Sequence, residues 1–286
     1  MPTATAESRA PSPPVVPARG VARSLALARV FRLEQSDPDT FYSAVAQDTI
    51  GQIAGYTDLA GAMVLDVGGG GGYFTRAFTR AGARSILVER DALEPAPAVD
   101  GEAARSSEER HRLAVWPGRL ARGTTVAGDG LKLPFKDAVA DVTFSSNVLE
   151  HVAEPRGLVD EMVRVTRPGG LIYVSYTAWY SPWGGHETSP WHYLGGARAA
   201  RRYEARTGRP PKNLFGTSLF ARHVGPTLKM LRSMGDRAVV VDALPRYYPT
   251  WMRWVIEVPV ARELLTWNLL VVLRRTGEDR ATGEDR

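Results

Sequence analysis

The sequence predicts an α/β fold, with short buried strands alternating with helices along the chain. Three observations carry that expectation. Met63-Val64-Leu65-Asp66-Val67 is a short apolar run suited to a buried strand, and five glycines, Gly68 to Gly72, follow it at once. Tyr73-Phe74-Thr75-Arg76-Ala77-Phe78 then starts a helical pattern. Ser85-Ile86-Leu87-Val88-Glu89 gives a second strand that ends on a carboxylate about 20 residues past the glycines. Strand, glycine turn, helix is a layout that lets backbone approach a ligand, because glycine has no Cβ and tolerates positive φ.

The elements follow in order. Ser24 to Leu33 forms a short helix. Asp37-Pro38-Asp39-Thr40 supplies capping residues for a second helix, from about Phe41 to Tyr56. Strand one ends at Val67, and its helix runs to about Ala81, where Gly82 stops it. Asp91 to Gly123 is irregular, with one charged helical patch near Glu102 to Leu113, where His111 reads as a surface histidine. Thr124 to Gly130 is strand three and its exit loop. Asp141 to Asn147 is strand four, Pro155 to Thr166 a helix ended by Arg167-Pro168-Gly169-Gly170, and Leu171 to Tyr176 strand five. Ser218 to Met234 reads as a helix, and Ala238 to Asp242 and Leu269 to Leu273 as strands six and seven.

Composition bounds the answer. The chain has 286 residues, enough for one sizeable core or one core with an inserted cap. Its 44% hydrophobic and 23% charged residues are ordinary for a soluble globular protein. The absence of cysteine excludes disulfides, thiolate metal sites and a cysteine nucleophile. A net charge of +5 permits an acidic partner without demanding one. No apolar run is long enough for a spanning helix. Residues 1–20, rich in Pro, Ala and Ser, are expected to be disordered, and so is the charged tail 276–286, where Thr-Gly-Glu-Asp-Arg occurs twice. Arg19, Arg23 and Arg29 give only a faint likeness to a transit peptide.

The glycine spacing selects the ligand. The dinucleotide fingerprint G-x-G-x-x-G fails, because Tyr73 or Phe74 stands at the required third glycine. This opposes a nicotinamide-dependent oxidoreductase. A P-loop fails for want of a lysine after the loop. What fits is Asp66-x-Gly68-x-Gly70-x-Gly72, which resembles the first motif of class I S-adenosylmethionine (SAM)-dependent methyltransferases. Gly128-Asp129-Gly130 with Leu133-Pro134-Phe135, then Asn147-Val148-Leu149-Glu150-His151-Val152, a helix, and Arg167-Pro168-Gly169-Gly170 resemble the type 11 group. That group includes ubiquinone and menaquinone C-methyltransferases and many small-molecule O-methyltransferases. The likeness covers about Asp37 to Tyr176. Beyond it, Gly184-Gly185-His186-Glu187 and His192-Tyr193-Leu194-Gly195-Gly196 look like an uncharacterised bacterial subgroup.

The resemblance implies a Rossmann-like sheet of seven strands in a domain spanning 21–275, with strand seven antiparallel and a substrate cap over 179–226 inserted after strand five. It implies SAM as cofactor. Gly68, Gly70 and Gly72 would carry its methionine part, Glu89 the ribose and Asp129 the adenine, with Asp66, Gly130 and Ser145 completing the set. Plainer readings stand beside these: Glu89 as a solvated strand-end carboxylate, Asp129 as a turn former. The reaction implied is methyl transfer to a small-molecule, sugar or lipid-like acceptor, with O-methylation favoured. A non-catalytic SAM-binding regulator or partner subunit is the alternative.

A hydroxyl acceptor calls for a general base. His151, His186 and His192 are the candidates, although in similar enzymes a histidine at the first of these positions is often structural. Trp179, Trp183, Glu187 and Tyr193 are expected to line the substrate pocket. Among His186, Glu187 and His192 the spacing H-E-x-x-H is absent, and no metal is expected. Arg198, Arg201, Arg202 and Arg206 read as a solvated helix, with an anionic-substrate or headgroup patch as the alternative. Nucleic acid is not an expected partner, since Ser145-Ser146-Asn147-Val148 replaces the Asp/Asn-Pro-Pro-Tyr of nucleic-acid amine methyltransferases. The expected location is cytoplasmic. The aromatic and arginine segment 246–267 offers peripheral membrane contact as one reading and a lid or core helix as the other.

Overall fold

The computed structural model describes residues 20–34, 36–90 and 124–277. The expectations for residues 1–19, 91–123 and 278–286, including the helical patch and His111, lie outside the described residues. Seven strands build one sheet: β1 Met63–Val67, β2 Arg84–Glu89, β3 Thr124–Ala127, β4 Ala140–Ser146, β5 Thr166–Thr177, β6 Ala238–Pro245 and β7 Asn268–Arg275. Their order is β3-β2-β1-β4-β5-β7-β6. The first five run parallel, and β7 lies antiparallel between β5 and β6. This is the seven-stranded Rossmann-like sheet that the sequence resemblance implies, with strand seven reversed as expected.

Helices cover both faces. Alternate residues of β1 divide between two apolar layers, as a period of two requires. Leu65 and Val67 join Leu158, Val159 and Met162 of α4 (Pro155–Val165) and Leu228 and Leu231 of α6 (Val224–Arg232). Val64 joins Ile53 of α2 (Pro38–Ile53), Phe78 of α3 (Tyr73–Arg80), Phe144 and Tyr173. Helix α1, Gly20–Val30, packs through Val30 against Phe41, Ala44 and Val45 of α2. Asp37 caps α2 by accepting from the Thr40 amide at 3.2 Å, with Pro38 at the first helical position.

Several expected boundaries move by a few residues, and two of the shifts change the path of the chain. Arg167-Pro168-Gly169-Gly170 does not sit between a helix and a strand; it is the irregular start of β5, where pairing with β4 skips from Ala140 to Val142. The expected helix over Ser218 to Met234 begins only at Val224. Pro226 lies in its first turn, where a missing amide costs no helical hydrogen bond. Residues 218–223 are instead held to other segments: the Phe220 amide donates to the Glu150 carbonyl at 2.8 Å and the Trp179 amide to the Arg222 carbonyl at 2.8 Å. Helices α5 (Gly196–Thr207) and α7 (Pro259–Leu265) complete the α-helices among the described residues, and short 3-10 turns join the rest.

Candidate active site

The chain leaves β1 toward β2 on one side and β4 toward β5 on the other, although β1 and β4 are neighbours. Open α/β sheets bind ligands at the carboxyl ends of strands where the order reverses in this way. The glycine loop lies there. Gly68, Gly70 and Gly72 have φ of +72°, +49° and +68°, so the three glycines spaced at alternate positions are the ones bent into the left-handed region. Gly68 and Gly69 are also closed in by packing. A Cβ on Gly68 would lie 2.6 Å from Val148, and one on Gly69 would lie 2.4 Å from the Asp66 carboxylate. A Cβ on Gly70 would meet nothing within 4 Å. Gly70 is therefore the part of the loop that faces open space.

Carboxylates flank the loop. Glu89, at the end of β2, accepts from the Gly70 amide at 2.9 Å and from the Arg90 amide at 3.2 Å. Asp66 is fully buried behind the loop, where one oxygen accepts from the Thr75 hydroxyl at 2.6 Å and the other has no described partner. Burial pushes the Asp66 carboxyl up to about 7, against the opposing pull of the Thr75 hydrogen bonds. Asp129 is exposed and accepts from the Leu131 amide at 2.9 Å, so it shapes the turn after β3. Gly130 meets Leu158, which a Cβ would approach to 2.8 Å. Ser145, on β4, is fully buried with an unpartnered hydroxyl.

The residues after strand five divide into two sets. Trp179 and His192 are buried against each other with ring centroids 5.1 Å apart, and Trp179 also meets Phe215. The His192 Nε2–H donates to the Trp179 carbonyl at 3.0 Å, and Nδ1 accepts from the Ser189 hydroxyl at 3.3 Å. Burial lowers the His192 pKa. Both ring nitrogens are engaged inside the loop's own core, so His192 is not positioned to take a proton from an acceptor, and Trp179 is not a pocket wall. Glu187 is exposed and accepts from the Asn213 side chain at 2.8 Å. The exposed Tyr193 donates to the Tyr180 carbonyl at 3.3 Å.

Trp183 has another role. Its ring stands 5.3 Å from Trp267 and 6.0 Å from Phe31, and Phe31 is 4.8 Å from Tyr247. The leading segment, the loop after β5, the end of β6 and the start of β7 thus share one aromatic wall. Beside it, Asn268 donates to Asn147 at 2.8 Å, and Asn147 takes a φ of +56°. The exit from β4 also carries His151, whose Nδ1–H donates to the Ser218 carbonyl at 2.7 Å. Its ring lies 5.0 Å from that of His186. Val148, which packs on Gly68, ties this turn to the glycine loop.

Three residues of the site carry no functional signal of their own in the sequence. Glu150 is fully buried; one oxygen accepts from the Thr177 amide at 3.0 Å, and burial pushes its pKa up against the pull of His151. Phe31 carries no functional signal in the sequence, where its segment predicts only a helix. Arg246, in the segment for which membrane contact and a lid or core helix both stand as readings, is fully buried. It donates at 2.8 Å to each of Ser146, Ser175 and Thr49, with the ring of Tyr247 5.2 Å away. A buried cation needs such a set of acceptors, because unpaired burial of charge is costly. No signal within the sequence near Arg246 marks it, since its partners are 71 to 197 residues away.

Comparison with known proteins identifies the family. The methyltransferase domain family of type 11 matches residues 65–174. An uncharacterized methyltransferase of Mycobacteroides abscessus is 46% identical over 258 residues, covering 88% of this chain and 93% of its own. One of Mycolicibacterium gilvum is 45% identical over 262 residues, covering 90% and 95%. Among solved structures, an S-adenosylmethionine dependent methyltransferase of Mesorhizobium loti aligns over 80% of this chain and 98% of its own, with a TM-score of 0.50 and 21% identity, a likeness of fold. With that coverage by its relatives, the chain belongs to the type 11 group of the class I, SAM-dependent methyltransferases.

Proposed function

We propose that the protein moves a methyl group from SAM to an oxygen of a small-molecule, sugar or lipid-like acceptor. The open face at Gly70, beside the Glu89 carboxylate, carries this reading. The left-handed loop leaves space for the methionine part of SAM, and Glu89 lies on the neighbouring strand where ribose hydroxyls would donate to it. Asp129 keeps an exposed carboxylate for the adenine amine. Asp66, Gly68, Gly72, Gly130 and Ser145 support these groups from behind.

Methyl transfer at a sulfonium needs little from the protein beyond proximity and orientation, worth about 7–11 kcal/mol in well-oriented cases. The aromatic wall of Phe31, Trp183, Tyr247 and Trp267 suits the apolar body of an acceptor. His151, at the exit of β4, and His186, from the loop after β5 with its ring 5.0 Å away, are the groups placed to handle the acceptor proton. Exposed Trp251, Trp254, Val260 and Leu264 beside Arg253 support a lipid-like acceptor met at a membrane surface. No helix among the described residues is long and apolar enough to cross a membrane.

The test is methyl transfer from labelled SAM into a metabolite and lipid extract. One product heavier by a methyl group, which it keeps through base hydrolysis as an ether does, is expected. SAM binding without any labelled product from aqueous or lipid fractions would overturn the catalytic reading.

A further inference from the structure

Glu150, His151 and His186 bring one donor atom each into a group whose members all lie within 4.8 Å of one another. The spacing of the sequence gives no hint of this. Glu150 and His151 come from the turn after β4, and His186 from a turn 35 residues later. We propose that these three side chains bind a divalent transition-metal ion of the zinc class.

Four observations support the assignment. First, the second oxygen of Glu150 is buried and has no described hydrogen-bond partner, although the side chain is only 1% exposed. An unpartnered buried carboxylate oxygen needs a reason, and a bound ion is one. Secondly, outer contacts already orient two of the ligands. The Thr177 amide holds the other Glu150 oxygen, and the Ser218 carbonyl holds the Nδ1–H of His151. That hydrogen bond fixes the tautomer and leaves the Nε2 lone pair for a ligand, which is how metal-binding histidines are commonly supported. Thirdly, His186 has a φ of +47°, a backbone state that an L side chain rarely takes. The turn before it is fixed from below, since a Cβ on Gly185 would lie 2.4 Å from the His192 ring. Strain of that kind persists where the surroundings impose it and clusters at functional sites. Fourthly, two imidazoles and one carboxylate are the donor set of catalytic zinc sites, which keep a further position open. Both histidines are half-buried, so an ion and an oxygen ligand can reach them. Around an ion with bonds of about 2.1 Å the donors would sit roughly 3.4 Å apart, so side-chain rotation of about an ångström completes the site.

The chemical role rests on the methyl-transfer reading; the binding claim does not. An acceptor hydroxyl taking the open position becomes more acidic. With both imidazoles bound to the ion, the proton they would otherwise take passes to water, and the oxygen lone pair attacks the methyl carbon of SAM. The C–O bond forms as the C–S bond breaks, and the bonding pair stays on sulfur, which becomes a neutral thioether. The ion would also hold the loop after β5 to the exit of β4.

Full-length protein stripped with a chelator and dialysed tests this. Zinc titrated in competition with a chromophoric chelator should bind at one equivalent per chain and raise the melting temperature. Cobalt should give visible absorption of tetrahedral strength. His186→Ala should weaken zinc at least tenfold, and Glu150→Gln, checked for native circular dichroism, should do the same. His223→Ala, outside the cluster, should bind as wild type does. No stoichiometric binding, or equal affinity in wild type and His186→Ala, overturns the site, and so does an equal loss in His223→Ala. SAM titrated into the stripped protein separates the two readings. If SAM binds and zinc does not, the metal site fails and the methyl donor stands; if zinc binds and SAM does not, only the chemical role falls.

Discussion

The glycine loop and the loop after β5 both depend on glycine, for opposite reasons. At Gly70 a Cβ would meet nothing within 4 Å, and only the φ of +49° favours glycine. At Gly184 a Cβ would lie 2.0 Å from the Trp179 carbonyl, and at Gly185 it would lie 2.4 Å from the His192 ring. The first region is open at Gly70. The second uses up its space on itself. Aromatic density is thus a poor guide to a pocket: Trp179 and His192 are core, while Trp183, four residues on, faces Phe31 and Trp267.

Substitutions can break this contrast. The largest expected effect is at Gly184. Gly184→Ala drives a methyl into backbone that cannot step aside, and should lower unfolding free energy by about 3 kcal/mol. Urea denaturation measures it, and a change under about 1 kcal/mol would show that the loop yields and is not self-packed. Next comes Glu89→Ala, expected to weaken SAM by about 2 kcal/mol through lost charged hydrogen bonds. Because Glu89 also accepts from the Gly70 amide, Glu89→Gln is the companion variant. It keeps an acceptor for that amide. Calorimetry giving wild-type SAM affinity in both variants would remove Glu89 from the ribose site.

The same contrast explains what could be read from the sequence. Elements made of consecutive residues were legible. Asp66 and the alternate glycines lie within seven positions, and those glycines have the positive φ values. Glu89 follows on the next strand and reaches Gly70. The seven strands and the reversed β7 were legible through motif resemblance, although Arg167 to Gly170 joined β5 and residues 218–223 left the expected helix. Groups assembled from distant segments were not. Arg246 is held by Ser146, Ser175 and Thr49, and the Glu150, His151 and His186 cluster spans two separate turns. No local period or spacing encodes either. His192 shows the same limit, because only tertiary packing tells a buried histidine from a reactive one.

His192→Gln gives a smaller effect. A glutamine amide can still donate toward the Trp179 carbonyl but cannot fill the ring's place between Gly185 and Trp179. Stability should fall by about 1.5 kcal/mol, with SAM affinity and turnover per folded molecule unchanged. Turnover reduced tenfold at wild-type melting temperature would return His192 to the list of catalytic groups.

The smallest expected change in stability belongs to Gly70→Ala, and it bears most directly on what the open face is for. The added methyl clashes with nothing in the free protein, so the only cost there is the left-handed φ of +49°. That cost is about 1 kcal/mol for an L residue. If the space beside Gly70 belongs to SAM, the methyl and the ligand compete for it, and affinity should fall at least tenfold, more than the stability loss would suggest. If the loop is only a turn, the stability cost should appear alone. Denaturation and SAM calorimetry on one preparation separate the outcomes. Gly184→Ala supplies the counterpart: a large stability loss with SAM affinity unchanged in the molecules that remain folded. Should Gly70→Ala lose about 1 kcal/mol of stability and bind SAM normally, the open face at Gly70 would no longer mark the donor site, and the two glycines would differ only in how tightly each is packed.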